Sequence, residues 1–146
     1  MKIRLATPAD STAIQSLLAQ LGYPIFDEQE VVEKIRLHQQ PGYCLLVSEI
    51  ETRTVGFISM HWFELMHWKG RMGRFTSFCI DETFRSKGVG QALLKEGEAF
   101  LIKQGCIKLE VTSNLRRVRT HEFYLKAGYV EDSRRFVKVL GAGENS

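Results

Sequence analysis

An α/β (α+β) domain built on a mixed, mostly antiparallel central sheet of six to seven strands, with helices on both faces, is the fold class the sequence predicts. Three observations predict it. The second half of the chain alternates strand and helix patterns, which implies some parallel pairing. The middle carries two apolar, β-rich runs separated by a short polar segment, which implies an antiparallel hairpin. The chain has 146 residues, 44% of them apolar, enough for one core and about one domain.

Each element has its own local signal. "KIRLA" (2–6) alternates as a short strand. "TPAD" then opens a helix, with Thr7 as cap, Pro8 at the first helical position and Asp10 in the first turn. Ile14, Leu17, Leu18 and Leu21 form its apolar stripe and Gly22 stops it. Residues 27–38 repeat the pattern with Asp27 as cap, and Pro41-Gly42 closes the region. The hairpin strands are 43–49 and 54–65, and 74–80 is a further strand. Residues 88–105 place apolar side chains at 89, 93, 94, 100 and 101, with Gly97 as a small residue on the same face, and Gly105 ends that helix. A strand at 106–112, a helix at 113–128 closed by Gly128, and one or two strands within 129–140 complete the series. Residues 1–140 are expected to form a single domain and "GAGENS" (141–146) a flexible tail.

Bulk properties exclude several classes of function. No apolar run reaches the roughly 18 residues of a membrane span, and the first residues lack the apolar core of a secretory signal. Three cysteines, Cys44, Cys79 and Cys106, lie far apart and are odd in number. That argues against a disulfide framework and for a reducing, cytoplasmic setting. A net charge of +3 suits an anionic small ligand and is too small to imply nucleic acid.

The most informative stretch is Arg85-Ser86-Lys87-Gly88-Val89-Gly90, between a strand and a helix. The first turn of a helix carries unpaired N–H groups and a partial positive charge. Glycines let ligand oxygens approach those groups, and Arg85 and Lys87 add full charges. The combination describes a pyrophosphate cradle, against the plainer alternative of a flexible turn. The P-loop pattern is absent, because no Lys-Ser/Thr follows Gly90. The dinucleotide pattern G-x-G-x-x-G is absent too, because position 93 is Leu. What fits is R-x-x-G-x-G.

With this loop the chain resembles the GNAT superfamily of acyl-CoA-dependent N-acetyltransferases, whose pyrophosphate loop reads [R/Q]-x-x-G-x-[G/A]. A second block, "VTSNLRRVRTHEFYLKAGY" (111–129), matches the superfamily at Asn114, His121, Phe123, Tyr124, Gly128 and Tyr129. The likeness covers residues 54–140; the first fifty match in element order alone. Within the superfamily, "MHWFELMHW" (60–68) and "RRFVKVL" (134–140) resemble the small aminoalkylphosphonate acetyltransferases.

The resemblance implies a GNAT-like acyl-CoA acyltransferase fold with acetyl-CoA as co-substrate and no prosthetic group. Strands 74–80 and 106–112 are expected to splay, with the pantetheine arm between them on backbone groups of Phe78, Cys79 and Ile80. Arg85, Ser86, Lys87, Gly88, Val89, Gly90 and Gln91 would hold the pyrophosphate. Asn114 would bond the arm, or else merely cap a helix. Tyr124 is either a core aromatic or the general acid for the leaving thiolate, a nearly balanced transfer since thiol and phenol pKa values are about 8.5 and 10. Many relatives carry a Glu on the strand before the loop, where this chain has Ser77. A hydroxyl is no base, so the proton of the attacking amine would leave through water at Ser77, or to His61, His67, Glu64 or Glu110. His61 has the right pKa range but also suits packing on a half-buried strand. His61 and His67 lie roughly 20 Å apart on an extended strand, so no shared metal site is expected.

Arg116, Arg117 and Arg119 form either a solvated face or a grip on an anionic group of cofactor or substrate. Phe26, Trp62, Phe63 and Trp68 either line an acceptor pocket or belong to the core. Cys79 lies in an apolar run and is discounted as a nucleophile. The expected partner is a small primary amine, with an anionic one among the candidates. Neither nucleic acid nor membrane is expected, and a homodimer is suggested by likeness. The competing functions are a non-catalytic acyl-CoA-binding module and acetylation of a protein amine.

Overall fold

The computed structural model describes residues 1–111, 118–132 and 135–141. The chain divides into two compact units, Met1–Thr112 and Ser113–Ser146. The first unit contains β1 (Lys2–Leu5), a 3-10 turn (Pro8–Asp10), α1 (Ser11–Leu21), α2 (Glu28–Leu37), β2 (Tyr43–Ile50), β3 (Arg53–Glu64), β4 (Arg71–Ile80), a second 3-10 turn (Glu82–Phe84), α3 (Val89–Lys103) and β5 (Cys106–Val111). The second contains α4 (Val118–Lys126). No helix among the described residues is long and apolar enough to cross a membrane.

The strands form one sheet in the order β1-β2-β3-β4-β5. The first three pairings are antiparallel and β4–β5 is parallel. The mixed, mostly antiparallel character is therefore as expected, but the strand number is not: the described residues form five strands rather than six to seven. The others were expected within 129–140, where the described residues carry no strand. Exposure gives the reason. Val130 is 82% exposed, Phe136 96% and Leu140 89%. A β-rich pattern becomes a strand only where a neighbouring strand and a buried face complete it.

Alternation along β3 assigns the two faces. Phe57 faces a core built from α1, α2 and β2, including Ile14, Leu17, Val31, Ile35, Leu45 and Val47. Met60 and Trp62 face α3, where an added Cβ on Gly97 would come within 2.9 Å of the Phe75 ring and 3.3 Å of the Met60 methyl. Gly97 is thus a close-packing residue. The β2–β3 turn falls at Glu51-Thr52, both at positive φ (49° and 67°), tighter than the four-residue connection expected. These are the signs of a two-residue primed turn formed without Asn-Gly.

Asp10 does more than sit in a first turn. It is 4% exposed and accepts two hydrogen bonds from the Arg4 guanidinium (2.8 and 2.9 Å), one from the Thr7 amide (2.9 Å) and one from the Thr54 hydroxyl (2.7 Å). This ties β1, the start of α1 and β3 together. Burial pushes the carboxyl up, but the hydrogen bonds from Arg4, Thr7 and Thr54 and the Arg4 charge outweigh it and hold it below its ordinary value. A depressed folded pKa means the stabilisation is full above the unfolded pKa of about 3.9 and is lost as pH falls through the folded one. Asp10→Ala is expected to destabilise by about 2–4 kcal/mol in urea denaturation and to flatten the loss of stability on acidification.

Candidate active site

The centre of the site is a defect in the sheet. Ser59 of β3 pairs with Ser77 of β4, but Met60 pairs with Phe75, so Thr76 is an extra residue in β4. Such a bulge bends its strand and raises its twist. The β4–β5 ladder among the described residues ends at this point, with Phe75 opposite Val111, while β4 runs on to Ile80 against β3.

The bulge gathers three hydroxyls. Ser59 Oγ, on a residue 4% exposed, lies 2.7 Å from Thr76 Oγ1 and 2.5 Å from Ser77 Oγ. Further along the same face stand His61 and Phe63 of β3, Arg74 of β4 and Glu110 of β5. The His61 ring stacks between Tyr43 (5.9 Å) and Phe63 (5.0 Å). Arg74 is ion-paired with Glu110 and its Cζ lies 5.2 Å over the Phe63 ring. Burial, then the charges of Arg74 and His38, hold the His61 imidazole below its ordinary pKa, with Glu110 acting the other way. The ring is therefore neutral at pH 7 and able to accept a proton.

Beyond β4 the chain enters the glycine-rich loop. Asp81 accepts from the Thr83 amide (2.9 Å) and hydroxyl (2.8 Å), fixing the 3-10 turn. Arg85 Nε donates to the Ile80 carbonyl at 3.0 Å, so the arginine also closes the loop on the strand end. Ser86 (φ 63°) and Gly88 (φ 81°) both adopt left-handed backbone and turn the chain into α3. The first bond of that helix runs from the Ala92 amide to the Gly88 carbonyl at 3.1 Å. The amides of Val89, Gly90 and Gln91 precede it and lack a partner within the helix. Arg85, Ser86, Lys87, Gly88 and Gln91 are exposed, Gly90 is half-buried and Val89 sends its side chain into the core. A Cβ on Gly88 would meet nothing within 4 Å among the described residues, so the loop is uncrowded at that position. Arg53 and Lys87 both lie over the Phe84 ring (5.4 and 5.7 Å), adding cationic charge beside it.

The first unit thus brings together Ser77, His61 and Glu110 on one sheet face, and Phe78, Cys79, Ile80 and the 85–91 loop at the end of β4. Cys79 is buried, and its Sγ donates to the Leu17 carbonyl at 3.4 Å, consistent with an inert core thiol. Glu64 and His67 lie exposed at and beyond the end of β3. Trp62 packs on Phe100 of α3 (5.7 Å) and Phe26 against the α1–α2 core, whereas Phe63 faces His61 and Arg74. Tyr43, Ser59, Thr76 and Arg74 were not anticipated. Period-two alternation links Ser59 to His61, but only strand register reveals the other three.

In the second unit Tyr124 lies on α4 and is buried, 7% exposed. Its ring contacts Phe123 (5.5 Å) and Tyr129 (5.6 Å). Gly128 (φ 95°) reverses the chain and brings the Tyr129 amide to the Tyr124 carbonyl at 3.0 Å. His121, one turn earlier, has a buried Nε2 with no hydrogen-bond partner among the described residues. Asn114, Arg116 and Arg117 and the side chain of Arg119 lie outside the described residues.

Comparison with known proteins bears on this arrangement. A family model described as "Acetyltransferase (GNAT) family" matches residues 12–129. An aminoalkylphosphonate N-acetyltransferase of Salmonella typhimurium is 25% identical over 140 residues, covering 95% of this chain and 91% of the relative. An aminoglycoside N(6')-acetyltransferase type 1 of Stenotrophomonas maltophilia is 28% identical, covering 90% and 88%. In fold, the glucosamine-6-phosphate N-acetyltransferase of Arabidopsis thaliana superposes with a TM-score of 0.82 at 20% identity, covering 96% of this chain and 98% of that one.

Proposed function

Because the chain belongs to the acetyltransferase (GNAT) family, we propose that it moves the acetyl group of acetyl-CoA to a primary amine of a small molecule, by direct attack in a ternary complex. The observation that carries this reading is the open, left-handed loop at the start of α3, with the residues Arg85 to Gln91 in the family's pattern. Its amides and cations suit a diphosphate. The pantetheine arm then runs along the end of β4 at Phe78, Cys79 and Ile80, with Asn114 as a further contact.

The thioester is assigned to the neighbourhood of the bulge, where the acceptor amine meets it. At pH 7 a lysine-like amine must lose a proton at a cost of about 4–5 kcal/mol. His61 is the group best suited to take it, directly or through water held by the Ser59–Ser77 hydroxyls. Tyr124 protonates the departing thiolate. The two named relatives act on amine-bearing small molecules, and acceptors of that kind, including anionic ones, head the list here. The proposal includes one catalytic domain spanning residues 1–140, a homodimer and a cytoplasmic setting, the last supported by the odd number of cysteines, all buried.

A hydroxyl at 77 in place of a carboxylate favours a second reading, a non-catalytic acyl-CoA-binding module. A protein amine is the alternative acceptor. A thiol-release screen with acetyl-CoA over small amines and an N-terminal peptide separates all three. Turnover with a small amine is expected, with an acid limb in kcat lying below the ordinary imidazole range that His61→Ala removes. Coenzyme A binding without thiol release on any amine would support the binding module instead.

A further inference from the structure

Resting on the acetyltransferase reading, we infer that Arg74 selects the acceptor by gripping an oxyanion (phosphonate, phosphate or carboxylate) at the end opposite its amine. The guanidinium stands on the sheet face that carries the hydroxyl cluster, opposite His61 in the β3–β4 register. Glu110 Oε1 takes its Nε and Nη2 edge, and Nη1 makes no hydrogen bond among the described residues. A guanidinium fork has two edges that match an oxyanion in bidentate fashion, so one edge is held in place and the other is available. The side chains of Arg74 and Glu110 are 40% and 33% exposed, which leaves that edge accessible.

The groups around the fork can answer an anion by taking up a proton. The groups facing it are Tyr43 from β2, His61 from β3, Glu110 from β5 and His38 at the end of α2, whose ring packs on Tyr43 at 5.5 Å. The Glu110 carboxylate and the Arg74 guanidinium balance each other, and the two imidazoles beside them are neutral at pH 7. Both imidazoles are held below their ordinary pKa, chiefly by burial, with the charges of Arg74 and His38 adding to it at His61 and the Lys34 charge at His38, where the hydrogen bond to the Lys34 carbonyl acts the other way. An oxyanion at Arg74 would favour the imidazolium form of the neighbouring His61. Ser77 stands opposite Ser59 and Arg74 opposite His61, so the two lie roughly 7 Å apart along the sheet. A short acceptor with its anion at Arg74 can therefore present its amine at the serines, walled by Tyr43 and Phe63.

The test is histidine NMR on the full chain, titrated with methylphosphonate and, in a separate arm, acetate. An oxyanion beside His61 favours the imidazolium, so bound anion should raise its titration midpoint. Arg74→Gln should weaken that binding at least tenfold, and Arg74→Lys, which keeps the charge without the fork, should fall between the two. Whichever anion acts more strongly identifies the acceptor's group. No shift with either anion, or an equal shift in Arg74→Gln, overturns the inference. In kinetics, the kcat/KM ratio of 2-aminoethylphosphonate to propylamine should drop at least tenfold in Arg74→Gln, mainly through KM. An equal loss for both amines would make Arg74 merely structural. If the wild type acetylates neither amine, the proposed function fails, and the titration still decides the role of Arg74.

Discussion

Tyr124→Phe is expected to lower kcat by about 10²–10⁴-fold, the usual contribution of a positioned general acid. The thiolate expelled from the thioester has a pKa near 8.5 and a phenol near 10, so the phenol delivers its proton at little thermodynamic cost while the thiolate forms. Phenylalanine keeps the ring and removes the proton. The contacts with Phe123 and Tyr129 and the chain reversal at Gly128 involve ring and backbone, so the helix end should persist. Stability should fall by no more than about 1–2 kcal/mol, the typical value of one lost hydrogen bond. Steady-state kinetics with the best acceptor and a thermal melt check both parts. The deficit should shrink with an acetyl thioester of a more acidic thiol, whose departure needs less help. A drop well under tenfold would remove Tyr124 from the acid role.

The second large effect is expected at Gly88. Gly88→Asp places a carboxylate at the N-terminal cap of α3, where no neighbouring atom obstructs it. For a helix this is benign, since a negative charge at its N-terminus is favourable and aspartate tolerates left-handed backbone better than most residues. The melting temperature should therefore stay within about 5 °C of wild type. For a diphosphate it is repulsive. Losing one charge-assisted hydrogen bond is worth about 1.5–3 kcal/mol, so the KM for acetyl-CoA should rise roughly 10–100-fold. A flexible turn with no ligand would leave KM unchanged, which makes this substitution discriminate between the two readings of the loop.

The elements of the first unit were legible because each carries its own local signal. Thr7-Pro8, Asp27 and Gly22 mark helix ends by capping chemistry, and the stripe from Val89 to Leu101 has helical period. The glycine-rich loop was legible for the same reason: its residues are contiguous. The bulge was not, because Thr76 is an extra residue only relative to Ser59 and Met60 on another strand. Arg74 and Tyr43 escaped notice likewise, since β-register alone brings them to His61. Asp10 looked like a helix-start residue, and its further partners come from two strands, Arg4 of β1 and Thr54 of β3, the second 44 residues away. The failure at 129–140 has the opposite origin. The apolar residues Phe136, Val137, Val139 and Leu140 read as part of a strand, but local pattern does not supply the buried face a strand requires.

The central claim is that the amides entering α3 hold a diphosphate, and a crystal structure with coenzyme A bound addresses it most directly. The account predicts diphosphate oxygens about 2.7–3.1 Å from backbone nitrogens between Ser86 and Gln91, with the thiol end reaching the bulge at Thr76. A nucleotide bound elsewhere, with those amides facing solvent or covered by side chains, would contradict it.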